Sequence, residues 1–525
     1  GSATIIVADI DTGIRFDHPD LRGGNVIAGY DMVSPDDSAQ GTDFSTANDG
    51  DGRDADASDP GDGITQTEKN NNPYFANCAP SNSSWHGTQT AGLIGAATNN
   101  GVGVASVGRN VRVMPVRVLG KCGGFDSDIQ AGMLWAAGIH VPGVPDNATP
   151  ARVLNLSLGG EQACNDAYRN AIAEVNAAGA VVVVAAGNSG KAVGSPASCT
   201  GAIGVTALRH VGDKVGFSDL GPEIVIAAPG GNCVNTDTGT PCLYPIVTTS
   251  NSGTFAPVVG PPGATYTDSF NTSLGTSFSA PLVSGTVALM LSAQPSLTPA
   301  QIKAKLQSTA RPFPTTGGTD GTSACVAPGA AAQLECYCTT STCGAGMLDA
   351  HAAVMAVSGV QAAIALTTTT PTAGQAVALA SSSVLSAGRT IASYAWTILN
   401  GGTTGATITS AANADTVTVT PAAAGTFLIQ LTTTDNSGYV STANLSVVVA
   451  PASAVTPVTP PQPQPPTGSS GRAGGALGVA WLLLLLSAVL ALAATGRREA
   501  RRARACRADR RARDLSVADR PSRRG

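Results

Sequence analysis

Short apolar runs recur through the first two thirds of the chain and predict strands. They are rich in Val and Ile and end in Gly, Asn or Asp, and they cover residues 4–10, 111–119, 152–158, 180–186, 201–207 and 224–228. Runs that are apolar at consecutive positions are typical of parallel strands buried on both faces. Helix-like stretches such as residues 126–137 and 167–178 separate them. We therefore predict a doubly wound parallel α/β domain over residues 1–356, with function gathered beyond the carboxyl ends of its strands.

The pattern changes after residue 360 to Thr-rich segments in which apolar and polar positions alternate. These segments cover residues 375–380, 391–398, 415–420 and 426–434 and are broken by Gly and Asn. Alternation with frequent turns favours a small antiparallel β-sandwich over residues 360–450. Tyr394 and Trp396 lie two positions apart, and we interpret them as core residues rather than a ligand platform.

The carboxyl-terminal part has three further segments. Residues 451–475 are rich in Pro and Gly and predict an extended linker. Residues 476–494 carry no charge, and 19 residues suffice for a transmembrane helix. The Arg-rich tail at 495–525 predicts that this end lies in the cytoplasm.

Composition and charge exclude several classes of protein. Charged residues make up 12% of the 525 residues and Gly contributes 62, which excludes a coiled coil or charge-driven disorder for most of the chain. Of the 30 Lys and Arg residues, 13 are arginines between Arg472 and Arg524. The rest has 17 basic against 31 acidic residues, a charge of −14, so we expect no nucleic-acid partner.

Cysteine usage points to an oxidising compartment. Ten of the eleven Cys lie before residue 350 at scattered spacings, without a zinc-finger pattern. We predict a Cys164–Cys199 disulfide, with Cys78–Cys122 and Cys233–Cys242 as weaker predictions, and a free thiol at Cys506. The chain starts without Met on an apolar strand, so we interpret it as a processed chain whose missing signal peptide says nothing about location.

Three short strings carry candidate chemistry. Asp11-Thr12-Gly13 closes the first strand, His86-Gly87-Thr88 opens a predicted helix, and Ser277 lies in Gly-Thr-Ser-Phe-Ser-Ala-Pro at the start of another. Each string alone is more often a turn, a surface His or a helix cap. A serine nucleophile, however, needs a base to take its proton and a carboxylate to orient that base. Together the strings therefore predict acyl transfer.

At these strings the sequence resembles the subtilisin-like serine peptidases, the subtilases, over about residues 1–356. Ala185-Ala186-Gly187-Asn188 resembles a fourth landmark of that family. The resemblance implies that Asp11 orients His86, that His86 is the general base and acid, and that Ser277 is the nucleophile. It implies that the Asn188 amide donates to the oxyanion, although a turn or helix cap is the alternative.

The resemblance also implies a substrate-binding cleft. Ser157-Leu158-Gly159 resembles the segment that pairs with the peptide main chain, and Cys122-Gly123-Gly124 resembles the opposing strand. Ala185, Ala186 and Gly187 would form the wall of the primary pocket. For Cys122, Gly123 and Gly124 a tight Gly-rich turn is about as good an interpretation.

An acidic, Gly-rich stretch at residues 48–62 lengthens the segment between Asp11 and His86. Clustered carboxylates on such a loop suit calcium, which takes six to eight oxygen ligands. We predict a structural calcium ion, with a solvated acidic loop as the alternative. The candidate ligands are Asp49, Asp51, Asp56, Asp59 and Asp62.

Two further resemblances concern the rest of the chain. The sandwich segment is weakly similar to the PKD-like domains found behind many bacterial exoenzymes. Gly474-Gly475, the apolar run and Arg497-Arg498 together resemble a GlyGly-type carboxyl-terminal sorting signal. That resemblance implies a membrane anchor at 476–494 removed by an intramembrane protease, and a permanent single-span anchor is the alternative.

These features predict a secreted or cell-surface bacterial serine endopeptidase, a monomer that hydrolyses proteins or peptides through an acyl-enzyme intermediate. The rival from another class is a catalytically silent adhesin that displays the sandwich on a stalk, and four intact catalytic positions argue against it. A metallopeptidase is a poorer rival because no His-Glu-x-x-His occurs.

Overall fold

The computed structural model describes residues 4–22, 25–36, 41–233, 240–385 and 389–452. The predicted linker, membrane span at 476–494 and Arg-rich tail lie outside the described residues, as does Cys506.

A seven-stranded sheet forms the centre of the first part, in the order β2-β3-β1-β4-β5-β6-β7, and all its pairs are parallel. The strands are β1 (Ile6–Asp11), β2 (Tyr30–Asp31), β3 (Arg112–Arg117), β4 (Val153–Leu156), β5 (Val181–Ala185), β6 (Ile203–Leu208) and β7 (Ile224–Pro229). A small antiparallel pair, β8 (Thr249–Asn251) and β9 (Ala264–Tyr266), lies apart. The six apolar runs are confirmed as strands. Their consecutive positions are apolar because helices cover both faces of the sheet.

The helices are α1 (Gln66–Asn71), α2 (His86–Gly95), α3 (Asp126–Ala136), α4 (Asp166–Ala177), α5 (Thr276–Ala293), α6 (Pro299–Thr309) and α7 (Ala350–Met355), with a 3-10 turn at Pro73–Phe75. α3 and α4 contribute to the core on one face of the sheet. α2, α5, α6 and α7 contribute to the core on the other face. The prediction of a doubly wound sheet is confirmed. The strand order reverses around β1, and ligands bind at such a reversal in doubly wound sheets.

One helix among the described residues is long and apolar enough to cross a membrane, and it is α5. Of its apolar window, 72% is buried inside the protein. α5 is therefore the central helix of a core, packed against β4, β5 and β6.

The second part is a two-sheet antiparallel sandwich, as predicted. Its strands are β10 (Ile364–Leu366), β11 (Val377–Ser381), β12 (Ile391–Asn400), β13 (Thr407–Ile408), β14 (Thr416–Thr420), β15 (Gly425–Asp435) and β16 (Val440–Val449). One sheet has the order β10-β11-β14-β13 and the other β12-β15-β16. Trp396 is buried in the core between them and Tyr394 packs against it, which confirms both as core residues.

Five disulfides lie in the first part, and the three predicted pairs are confirmed. They are Cys78–Cys122, Cys164–Cys199, Cys233–Cys242, Cys325–Cys336 and Cys338–Cys343.

Candidate active site

Asp11 and His86 meet at the carboxyl end of β1. Asp11 is the last residue of that strand and is 1% exposed, and His86 is the first residue of α2. The His86 Nδ1 atom lies 2.8 and 2.9 Å from the two Asp11 carboxylate oxygens. Gly87 allows this approach, because a Cβ there would lie 2.2 Å from the Gly13 carbonyl oxygen.

The Asp11 contact sets the chemical state of His86. Nδ1 donates to a carboxylate, so the neutral ring carries its lone pair on Nε2, the form that a general base needs. Burial alone would lower the pKa of His86, but the Asp11 charge and hydrogen bond, together with the charges of Asp9 and Asp62, raise it. The His86 side chain is 22% exposed and borders an open cleft.

Ser277 is the second residue of α5, directly after Gly275 and Thr276. Gly275 has a φ of 153°, a conformation that favours glycine. The Ser277 hydroxyl donates to the Ser157 carbonyl oxygen at 3.1 Å and not to His86. The neighbouring Phe278 ring lies 5.7 Å from the His86 ring, centre to centre. The Ser277 hydroxyl is thus bonded to Ser157, a residue that lines the cleft.

A second contact ties Ser157 to Ser277. Pro281 lies four residues after Ser277 inside α5 and has no N–H, so the Ser277 carbonyl oxygen lacks its helical partner. The Ser157 hydroxyl donates to that oxygen at 2.7 Å. The segment that resembles a substrate-binding strand is therefore anchored directly to the residue that resembles the nucleophile.

Asn188 presents its amide nitrogen beside the start of α5. Its Oδ1 atom accepts from the Thr276 nitrogen at 2.9 Å and from the Thr276 hydroxyl at 3.1 Å, which leaves Nδ2 as the outward donor. The Ser277 N–H is one of the first N–H groups of the helix, which have no helical partner. A Cβ on Gly275 would lie 3.5 Å from Nδ2 of Asn188 and 3.7 Å from the Ser277 nitrogen. Both nitrogens thus lie close to one small region beside Gly275.

A buried polar network lies behind these residues, and it was not predicted from the sequence. Asp9 accepts from the Thr90 hydroxyl at 2.8 Å and from Nδ2 of Asn155 at 2.9 Å. The same Nδ2 donates to the Ser157 hydroxyl at 3.0 Å. Burial, followed by the Asp11 charge, raises the pKa of Asp9 to about 8. The alternation of side chains along β1 is the signal that could have shown a second inward carboxylate two residues before Asp11.

A cleft of about 490 Å³ opens at His86. The predicted substrate-binding residues that line it are Cys122, Gly123, Gly124, Ser157, Leu158 and Gly159. Ala185, Ala186 and Gly187 are not among its lining residues. Ala185 ends β5 and is buried, as is Ala186, and the Gly187 nitrogen donates to the Thr276 hydroxyl at 3.1 Å.

The cleft also contains residues that sequence reasoning did not assign to it. Asp126 and Tyr168 lie on its wall, and the Tyr168 hydroxyl donates to the Asp126 carboxylate at 2.9 Å. They are 42 residues apart on two helices, and no local pattern marks such a pair. Asp62, predicted as a calcium ligand, also lines the cleft.

The predicted calcium ligands do not converge. Asp49 pairs with the buried guanidinium of Arg117, which also binds Asp31 and the Ala47 carbonyl oxygen. Asp59 is buried and accepts from the Thr12 hydroxyl and the Gly61 nitrogen, both at 2.8 Å.

The remaining three carboxylates share no hydrogen-bond partner in the part of the chain that the structure describes. Asp62 accepts from both donors of Ser84, while Asp51 and Asp56 are exposed. Among the described residues, the one group of three or more possible ligand atoms within 4.8 Å of one another is Cys325, Cys338 and Cys343, all in disulfides. These five aspartates do not fit a common calcium site here, and calcium binding stays a prediction.

Comparison with known proteins gives a consistent result. Residues 2–331 match the Subtilase family, and residues 366–449 match a PKD domain family. An "Extracellular protease" of Xanthomonas campestris pv. campestris is 41% identical over 359 residues, which are 68% of this chain and 52% of that protein. An "Extracellular basic protease" of Dichelobacter nodosus is 38% identical over 363 residues, 68% of this chain and 51% of that protein.

A solved structure of a protease from Pseudoalteromonas arctica is 40% identical, with a TM-score of 0.56, and covers 68% of this chain and 91% of that one. The chain spans about half the length of the two curated relatives.

Proposed function

The chain belongs to the subtilase family, and from that premise we propose that it is a secreted serine endopeptidase that cleaves proteins through Ser277, His86 and Asp11. The observation that carries the proposal is the pair of contacts between His86 Nδ1 and the Asp11 carboxylate, which leaves Nε2 as a base at the cleft. Secretion is supported by five disulfides and by two relatives named as extracellular proteases.

The reaction begins when the Ser277 hydroxyl turns from the Ser157 carbonyl to His86. Nε2 takes the proton while the Ser277 oxygen attacks the substrate carbonyl carbon, and the Asp11 carboxylate stabilises the imidazolium that results. The oxyanion accepts hydrogen bonds from the Ser277 N–H and from Nδ2 of Asn188.

His86 then gives its proton to the leaving amine, the C–N bond breaks, and an acyl-enzyme remains on Ser277. Water donates a proton to His86 and attacks the ester carbon, the bond from that carbon to the Ser277 oxygen breaks, and His86 returns the proton to Ser277 as the acid leaves. Calcium binding stays a sequence-based prediction, and no step uses a metal.

The substrate would lie extended between two segments of the cleft. Cys122, Gly123 and Gly124 form one wall, and Ser157, Leu158 and Gly159 form the other. An extended peptide gains main-chain hydrogen bonds along such edges. The Ser157 contact with Ser277 supports this placement, because it fixes the distance between the bound main chain and the nucleophile.

Replacement of Ser277 tests the proposal. Ser277→Ala should lower hydrolysis of a denatured protein by about 10⁶-fold, as loss of the nucleophile does in a subtilisin, and should abolish labelling by a fluorophosphonate. Ser308→Ala, which changes an exposed serine on α6, should leave both unchanged. Wild-type chain that is folded, unlabelled and inactive would favour the silent adhesin instead.

The carboxyl-terminal segment is a separate proposal that rests on its sequence. We propose that 476–494 anchors the chain temporarily and that cleavage near Gly474-Gly475 releases it. Gly-rich sequence has low helix propensity, so it would offer an extended backbone to an intramembrane protease. Mass spectrometry of released protein should show a carboxyl end near Gly475, whereas only membrane-bound chain ending at Gly525 would establish a permanent anchor.

A further inference from the structure

A second cavity of about 260 Å³ adjoins the substrate cleft, and we name it the side pocket. It shares five lining residues with the cleft, which are Thr12, Asp62, Leu119, Cys122 and Gly123. Its other lining residues are Ile64, Cys78, Ala79, Ser81 and Gly120. A substrate side chain that enters the cleft beside His86 can therefore continue into the side pocket.

The walls of the side pocket are partly aliphatic, and a disulfide and two main-chain hydrogen bonds hold them together. Ile64, Leu119 and Ala79 supply aliphatic surface, and the Cys78–Cys122 disulfide joins two of its walls. The Ile64 and Ser81 main chains exchange two hydrogen bonds, of 2.9 and 3.0 Å. The volume is several times the ~30 Å³ that one water occupies in the liquid, so a long side chain fits.

Asp62 is the one charged side chain among the described residues that line the side pocket. Its Oδ1 atom accepts from the Ser84 nitrogen at 2.6 Å and its Oδ2 atom from the Ser84 hydroxyl at 2.7 Å. Each carboxylate oxygen has a second lone pair, so Asp62 can accept further donors. Because Ser84 lies two residues before His86, this carboxylate is held next to the catalytic base.

No Lys or Arg among the described residues lines the side pocket or the cleft. Lys121 pairs with Glu68, and Lys69 donates to the Cys78 carbonyl oxygen at 2.7 Å. A cation from the substrate would supply the positive charge that these lining residues lack.

We propose that the side pocket binds a Lys or Arg side chain of the substrate and that Asp62 determines this specificity. The aliphatic stem packs on the aliphatic part of the walls and the cationic head reaches Asp62. Side chains alternate along an extended peptide. If the first residue before the scissile bond faces the wall predicted at Ala185, Ala186 and Gly187, the second faces His86 and the side pocket. This inference rests on the proposed function and assigns the side chain to that second residue.

Peptide substrates that differ only at the second residue before the scissile bond test the inference. The probes carry Lys, Arg, norleucine or Glu there, and the readout is kcat/KM for each with the full chain. Wild type should prefer Lys and Arg to norleucine by about 10- to 100-fold, the factor expected of a hydrogen bond to a charged group. Asp62→Asn should bring the Lys-to-norleucine ratio close to one, and the ratio is read whatever the change in the absolute rates.

The matched control is Asp54→Asn, which removes one charge from the same loop at a residue that lines neither cavity. It should keep the wild-type ratio. If Asp62→Asn does not fold, salt gives a second measurement on wild type, because added NaCl should reduce the Lys preference and not the norleucine rate. Equal rates for Lys and norleucine in active wild type would overturn the inference and leave the peptidase proposal intact. An unlabelled, inactive wild type would overturn both.

Discussion

The two folded parts of the chain differ in what they bury. The parallel sheet buries Asp9, Asp11 and Asn155 on its central strands, where a sheet covered on both faces ordinarily holds apolar residues. In the described part of the sandwich, the buried polar side chains are Thr404, Thr433 and Asp435. Asp435 accepts from the nitrogens of Ser437 and Tyr439 and so closes a turn.

Burying polar groups costs free energy unless they are paired, so their place in a fold is informative. In the sandwich Thr404 and Asp435 close turns, and the Thr433 hydroxyl lies inside β15 without a hydrogen-bond partner among the described residues. In the sheet the buried polar groups converge on one end of β1, where no turn requires them. The comparison assigns the chemistry to the first part alone, and four changes test that assignment.

The largest effect should come from Asp11→Asn. The amide would bring an N–H to His86 Nδ1, favour the wrong ring tautomer and lower kcat by about 10⁴-fold. The pKa of His86 should fall as well, because the Asp11 charge raises it. Hydrolysis measured across pH tests both effects, and a loss of less than tenfold would contradict the assigned role of Asp11.

The second largest effect should come from Asn188→Ala, with kcat about 10²–10³-fold lower and KM nearly unchanged, because in the proposed mechanism Nδ2 donates to the oxyanion and not to the bound substrate. Asn188→Asp keeps the shape and removes the donor, so it should lose as much activity. Steady-state kinetics on one peptide compare the three proteins. An alanine variant changed only in KM would remove Asn188 from the oxyanion site.

Asp9→Asn should change stability more than rate. An aspartate whose pKa is raised to about 8 binds its proton more tightly in the folded state, so wild type loses stability as pH rises from about 4 to about 8. The Asn variant lacks this loss, and its melting temperature relative to wild type should rise over that window. Thermal melts in a Ser277→Ala background avoid self-digestion. Exposed Asp56→Asn is the control for the loss of one carboxylate.

The smallest effect is expected at the contact between sandwich and peptidase. The Tyr439 hydroxyl donates to the Ala293 carbonyl oxygen, the last residue of α5, at 2.8 Å. Tyr439→Phe should lower the free energy of unfolding by about 1 kcal/mol. The peptide kcat should not change, and a kcat loss above threefold would show that the sandwich influences the chemistry.

The strands of both parts could be predicted from sequence, because strands buried on two faces and strands buried on one face give different patterns of apolar residues. The contacts of the acidic loop at residues 48–62 could not be predicted. The carboxylates of the loop favour a shared cation, but Asp49 instead pairs with Arg117. Arg117 lies on β3, 68 residues further along the chain. Nothing local to residues 48–62 encodes that partner. Likewise, Asp126 and Tyr168 meet only because α3 and α4 pack together.

Pro281 implies a compromise between a regular helix and catalytic alignment. With an alanine there, the new N–H could bond to the Ser277 carbonyl oxygen and release the Ser157 hydroxyl that now occupies it. The helix would gain a regular turn, which should raise the melting temperature, and the contact that holds Ser157 at Ser277 would be lost. A selection for thermal tolerance alone would thus tend to remove this proline, and a selection for turnover would tend to keep it.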